Sequence, residues 1–210
     1  PVEIITLQGQ QFYAVERYDR VHVDNQILRL HQEDFCQLLN IPPNQKYQNE
    51  GGPSIPQLFE TIQIFQRQGR MKGEETLHLL QLVLFNFLIG NGDAHGKNFS
   101  ILYTGTQIEV APGYDLLSTL VYGGYHTEKM AMKIGSKYKF KAVANRHLDD
   151  MAESIGISPK LVQRQGKKLV DIISRESKLL LAEMTQQGFT SAILEEIDAV
   201  IQKQRMMFRT

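Results

Sequence analysis

One cysteine, Cys36, stands in a chain of 210 residues. No internal disulfide can form, and the chain reads as the product of a reducing, cytoplasmic compartment. Net charge is lacking too, since 23 Lys and Arg face 23 Asp and Glu. That balance disfavours a protein whose main work is gripping nucleic-acid phosphates. Long apolar runs are also missing. The most apolar stretch, 77–90, is interrupted by His78, Gln81 and Asn86 and falls short of the roughly 20 residues that cross a bilayer. It reads as a buried helix, and no membrane partner is expected. No basic-apolar leader opens the chain, and neither repeats nor low-complexity segments interrupt it. His22, His31, His78, His126 and His147 show no zinc-ligand spacing. The pairs Gly51-Gly52 and Gly123-Gly124 are far from a dinucleotide-binding G-x-G-x-x-G and read as turns. What is present is an ordinary globular composition, 42% hydrophobic and 22% charged, sized for one large domain.

Val2 to Leu7 and Phe12 to Glu16 are rich in β-branched and aromatic residues around a Gln8-Gly9-Gln10 turn, which predicts a hairpin. The alternation from Val21 to Leu30 predicts a strand or an extended crossover. Gln32 to Leu39 predicts a short helix closed by Pro42-Pro43. Ser54 is placed to cap a helix carrying Leu58, Ile62 and Phe65 on one face. Glu74 to Ile89 predicts a second helix, apolar on most of its circumference and therefore central. Phe99 to Tyr103 and Gln107 to Ala111 predict a second hairpin. Residues 123–141 suggest loops and short strands. Ser158-Pro159 predicts the start of a long helix to about Gln187, and Thr190 the cap of a last one. The fold class is therefore α+β and mostly helical.

Between the central helix and the second hairpin lies Asn91-Gly92-Asp93-Ala94-His95-Gly96-Lys97-Asn98. An Asn-Gly loop after a helix is by itself only a turn. Asn98 five positions beyond Asp93, and Asp115 beyond a hairpin, make it a candidate catalytic centre. Phosphoryl transfer needs a carboxylate to orient and deprotonate the accepting hydroxyl, and hard oxygen ligands for magnesium on the phosphate side of the same cleft. Asp93 supplies the first, and Asn98 with Asp115 the second. Lys97 could neutralise charge on the transferring phosphate. The D-x-H-x-x-N order, with His95 after Asp93, resembles aminoglycoside, choline and phosphoinositide kinases more than ordinary protein kinases, in which the His precedes the Asp. The loop thus names a reaction and leaves the acceptor open. His95 is read as a positioning or nucleotide-contacting residue.

In order along the chain, Ala14-Val15-Glu16-Arg17-Tyr18-Asp19-Arg20, Gln32-Glu33-Asp34-Phe35-Cys36-Gln37, Lys46-Tyr47 with Gly51-Gly52-Pro53, the loop 92–100, and Tyr114-Asp115 resemble the HipA-like serine/threonine kinases of bacterial toxin-antitoxin systems. The resemblance covers nearly the whole chain. It implies the large, C-terminal lobe of a protein-kinase-like fold with the last small-lobe hairpin and hinge: 1–20 for the end of the small lobe and the hinge, 21–210 for the helical large lobe. It implies Asp93 as the catalytic aspartate, and Asn98 and Asp115 as magnesium ligands. His95, Gly96 and Lys97 fall where the family's loop contacts nucleotide phosphates. Glu16, Arg17 and Tyr18 match the hinge that receives the adenine of ATP, and Tyr114 accompanies Asp115 in the nucleotide site.

The implied activity is transfer of the ATP γ-phosphate to a serine of a protein of the translation machinery, such as an aminoacyl-tRNA synthetase. The implied restraint is a HipB-like helix-turn-helix antitoxin, which alone would bring the kinase to DNA. The family also carries a phosphate-binding loop and a nucleotide-binding lysine upstream of the hinge. No residue before Glu16 matches them, and the chain opens on Pro1. The expectation is a chain that begins inside a longer product and binds nucleotide poorly alone. A non-catalytic platform for the antitoxin, and a kinase of small molecules, are the competing readings.

Overall fold

Two tight hairpins open the structure, a computed structural model that describes residues 2–122 and 128–208. Pro1, the Gly123-Gly124 pair and His126 lie outside the described residues. In the first hairpin β1 (Val2–Leu7) pairs antiparallel with β2 (Gln10–Val15), as the sequence predicts. Gln8 and Gly9 between them take φ of 52° and 79°, the left-handed pair that matches a two-residue turn to the twist of its strands. The alternating segment that follows is a hairpin rather than a crossover. Its strands β3 (Arg20–Val23) and β4 (Gln26–Arg29) turn at Asp24 and Asn25, whose φ values are 46° and 60°. Both hairpins leave large side chains in solvent, Tyr13 at 73% and Ile27 at 64% exposure.

The segment predicted as a helix from Gln32 corrects to strand first and helix second. β5 (His31–Asp34) forms the edge of a three-stranded antiparallel sheet with β6 (Ser100–Thr104) and β7 (Gln107–Val110), in the order β5-β6-β7. Only Phe35–Leu38 is helical, as α1. Asp34 decides the switch: its carboxylate accepts from Gln37 N–H at 2.9 Å while the Gln37 side chain accepts from Asp34 N–H at 2.9 Å. That reciprocal cap starts a helix at Phe35 and ends the strand before it.

Ser54 and Gln57 form the same reciprocal cap at the head of α2 (Ile55–Arg67). Next comes α3 (Glu75–Leu88), whose Leu79, Leu80, Leu84 and Leu88 are fully buried. A strand pair, β8 (Lys129–Ile134) and β9 (Lys137–Lys139), precedes α4 (Asn145–Ser154), the long α5 (Pro159–Gln186) and α6 (Ala192–Gln204). The N-cap position of the last helix is Ser191 and not Thr190, and the Ser191 side chain makes no capping hydrogen bond. One apolar core joins α2, α3, α4, the middle sheet and β8 to the first half of α5. At the far end of that core Phe208 lies on Gly166 of α5, where a Cβ would come within 2.2 Å of the ring. The fold is mixed helix and strand, with α1, α2 and α3 inserted between β5 and β6 and the remaining helices following the sheet.

Candidate active site

The central helix ends where the chemistry begins. Gly90 takes φ 72°, its N–H bonds to Phe87 O, and Asn91 N–H bonds back to Asn86 O at 2.8 Å. This left-handed cap closes α3 and throws the chain into the loop. Alanine is excluded at Gly90, because its Cβ would lie 2.7 Å from Val200 and 2.9 Å from Leu120.

A buried amide pair then fixes the loop to the helix. Asn86 Oδ1 accepts from Asn91 Nδ2 at 2.7 Å. The same Asn91 nitrogen donates to Asp115 O at 3.2 Å, and Asn91 Oδ1 accepts from Asp93 N–H at 3.1 Å. One side chain therefore holds the backbones of both candidate aspartates. Thr119 adds a second tie, accepting from Gly92 N–H at 2.8 Å and donating to Gly90 O.

Asp93, Asn98 and Asp115 come together as the sequence predicts. Asn98 Nδ2 donates to Asp93 O at 3.2 Å and to Asp115 Oδ2 at 2.9 Å. With its nitrogen so committed, the amide oxygen of Asn98 is the atom left for a cation. Asp115 sits at φ 53°, a left-handed conformation that L-residues adopt at a cost and that recurs at functional sites. An amide oxygen beside a carboxylate is a donor set suited to magnesium, which takes hard oxygens and keeps water or phosphate in its other positions. Among the described residues no three His, Cys, Asp or Glu side chains converge, so the set is a partial shell and not a closed protein cage.

Tyr47 contributes a contact that the sequence reading quoted only as resemblance. Its hydroxyl donates to Asp93 Oδ1 at 2.6 Å. Burial, the hydrogen bond to Asp93 and its negative charge push the Tyr47 phenol up to about 12, so it remains a donor at neutral pH. His95 is buried and stands edge-on to the Tyr47 ring at 5.3 Å. Its Nε2 is 3.9 Å from Asp93 Oδ1. Burial lowers the pKa of His95, against the pull of the Asp93 charge.

Gly96 and Lys97 have packing and pairing partners within the chain. A Cβ on Gly96 would meet Pro53 Cγ at 2.4 Å, and Gly96 N–H points at Lys46 O, 3.4 Å away. Lys97 Nζ pairs with Asp34 at 3.2 Å. The carboxylate that caps α1 thus also anchors the loop. Tyr114 hydroxyl donates to Lys97 O at 2.6 Å and meets Ser100 Oγ; burial raises its pKa.

The run 17–20 is held together by ion pairs. Asp19 is buried under Arg17 and Arg20, which reach its carboxylate at 2.7 and 2.6 Å. The Arg17 guanidinium, with Arg20 beside it, holds Asp19 down at about 2. Tyr18 lies 6.2 Å from the Tyr114 ring, centre to centre, which brings the 16–18 run to the loop side of the middle sheet. Glu16 is exposed.

Asn86 and Tyr47 are the site residues that sequence reasoning missed. A signal for Asn86 was present, an amide within an otherwise apolar helix. Tyr47 had none in its own segment, since it meets Asp93 from 46 positions away.

The loop stands on a fold of mixed helix and strand, and the chain belongs to the HipA-like C-terminal domain family, which it matches over residues 1–177. It is 39% identical over 193 residues to "Putative kinase Y4mE" of Sinorhizobium fredii, covering 91% of this chain and 45% of that one. It is 28% identical over 170 residues to the serine/threonine-protein kinase toxin HipA of Shewanella oneidensis, covering 77% of this chain and 39% of that one. The Shewanella oneidensis structure of HipA with HipB and operator DNA matches the fold with a TM-score of 0.73 at 23% identity, over 99% of this chain and 49% of the matched chain. The chain thus spans less than half the length of these relatives. Among the described residues no helix is long and apolar enough to cross a membrane.

Proposed function

We propose that this chain is the large-lobe part of a serine/threonine protein kinase of the toxin-antitoxin type, transferring the γ-phosphate of ATP to a protein serine. The carrying observation is the single Asn98 amide that donates to the Asp93 backbone carbonyl and to the Asp115 carboxylate. It supports a reading in which a base and two oxygen ligands share one site. Residues 1–20 serve as the end of the small lobe and the hinge, and 21–210 as the large lobe; in support, burial along the chain first appears at Asp19.

Asp93 orients the acceptor hydroxyl and takes its proton as the serine oxygen bonds to the γ-phosphorus and the bond to the departing ADP breaks. Tyr47 occupies Oδ1, which leaves Oδ2 for the acceptor. Asn98 and Asp115 would hold magnesium, which supplies positive charge to the phosphate oxygens. The backbone of Glu16 and Tyr18 receives adenine, with Arg17 between them folded back onto Asp19. His95 and Gly96 shape the loop near the phosphates, Tyr114 supports Lys97, and Lys97 reaches the phosphates by exchanging its Asp34 partner.

A HipB-like antitoxin is the proposed partner, supported by the matched structure of HipA with HipB and operator DNA. A component of the translation machinery is the proposed substrate, and the cytoplasm the proposed location. The test is magnesium-dependent ATP binding by calorimetry, with γ-phosphate transfer measured alongside, on the complete gene product carrying this chain. Binding and transfer by the wild type, with transfer lost in Asp93→Asn, are expected. Neither binding nor transfer by the complete product would overturn the reading and leave the non-catalytic antitoxin platform.

A further inference from the structure

Beside Asp93 the surface opens into a cleft of about 790 Å³ that neither Asn98 nor Asp115 lines. Its walls are apolar and aromatic: Tyr47, Leu117, Tyr122, Met130 and Tyr138. Among the described residues the charged lining groups are Asp93, Glu50 and Lys129, and apart from the candidate base Asp93 the two are of opposite sign. Tyr122 and Leu117 expose 52% and 45% of their surface. Exposed apolar surface gathered in a concavity is the mark of a binding site, whereas scattered single side chains are not.

The position of the cleft decides its occupant. Asp93 lies in its lining, and Tyr47 both holds Asp93 Oδ1 and forms part of the wall. A group seated there is a neighbour of the hydroxyl that Asp93 would receive. Nucleotide phosphates would belong with Asn98 and Asp115, neither of which lines the cleft. We propose that the cleft binds a large apolar side chain of the acceptor polypeptide, Phe, Leu or Met, adjacent in sequence to the phosphorylated serine. The inference deepens the kinase reading and rests on it. Tyrosine walls also suit a quaternary ammonium, but the cleft is larger than that group and Leu117 and Met130 offer it nothing.

The experiment uses the complete gene product and serine peptides that differ only in the residues flanking the serine: Phe, Leu, Ala, Asp or Lys. Choline is offered in parallel. The expected result is a kcat/KM for Phe- or Leu-flanked peptides roughly tenfold or more above that for Ala-flanked ones, the size that burial of one such side chain supports. In Leu117→Ala and Tyr122→Ala, both at exposed positions, that ratio falls toward one. Equal kcat/KM across the peptides, a preference for Asp or Lys, or phosphorylation of choline over every peptide overturns the inference while leaving a kinase. No phosphorylation together with no nucleotide binding overturns the kinase reading, and the inference with it.

Discussion

Asn98 donates its side-chain amide to the Asp115 carboxylate at 2.9 Å, across seventeen positions of chain that include the whole β6-β7 hairpin. The pair divides the labour of the site. Asp93→Asn removes a base and leaves the Asn98–Asp115 pair in place. Phosphate transfer should fall by a factor on the order of 100 or more, with magnesium-dependent nucleotide binding retained by calorimetry. Asp115→Asn should weaken that binding instead, most visibly at low magnesium.

Tyr47→Phe deletes the hydroxyl that fixes Asp93 Oδ1 and keeps the ring against His95. A hydrogen bond to a charged group contributes about 1.5–3 kcal/mol. The expected outcome is a kcat lower by roughly tenfold to a hundredfold, with KM for ATP little changed. An unaltered kcat would show that the carboxylate keeps its orientation without the phenol.

Gly96→Ala places a methyl 2.4 Å from Pro53 Cγ and 3.2 Å from Cys36 Sγ. Proline is a rigid neighbour. The loop must shift or the protein loses about 1–3 kcal/mol, the usual range for overpacking. Urea unfolding should show the lower midpoint, and transfer activity should fall with it.

Acid should loosen the ion-paired run 17–20 by a defined route. Asp19 is held at about 2 against an ordinary 3.8. Between those values the unfolded chain binds the proton that the folded one refuses. The stabilisation is therefore complete above about pH 4 and is lost as pH falls through about 2. Arg17 is 63% exposed, so salt should reduce the effect. Urea midpoints of wild type and Asp19→Asn should differ at pH 6 and converge near pH 2.

The apolar elements were legible from periodicity alone, because their patterns repeat over many residues. α2 and α3 fall within one residue of their predicted starts, and β1, β6 and β7 are close to theirs. The Gln32 segment was misread because its alternation is too short to separate strand from helix. What decides it is the pairing of Asp34 with Ser100, a partner 66 positions away. The Asp93-Asn98-Asp115 constellation was readable, since two of its three members share one loop. Its supports were not. Asn91 reaches Asp115 across 24 positions and Tyr47 reaches Asp93 across 46, while Asn86 acts by holding Asn91, and spacing along a chain carries no record of such contacts.

The β1-β2 hairpin leaves Val2, Leu7, Tyr13 and Val15 more than half exposed. A two-stranded ribbon with so little buried surface is marginal by itself. Amide hydrogen exchange should therefore divide the chain at Asp19. The amides of β1 and β2 should be replaced by deuterium early, by local opening, while those of α3 wait for global unfolding. Residues 16–19 then join the least durable part of the chain to the rest. Whatever packs on the ribbon would be felt at Tyr18 and, through the Tyr114 ring, at the loop that carries Asn98.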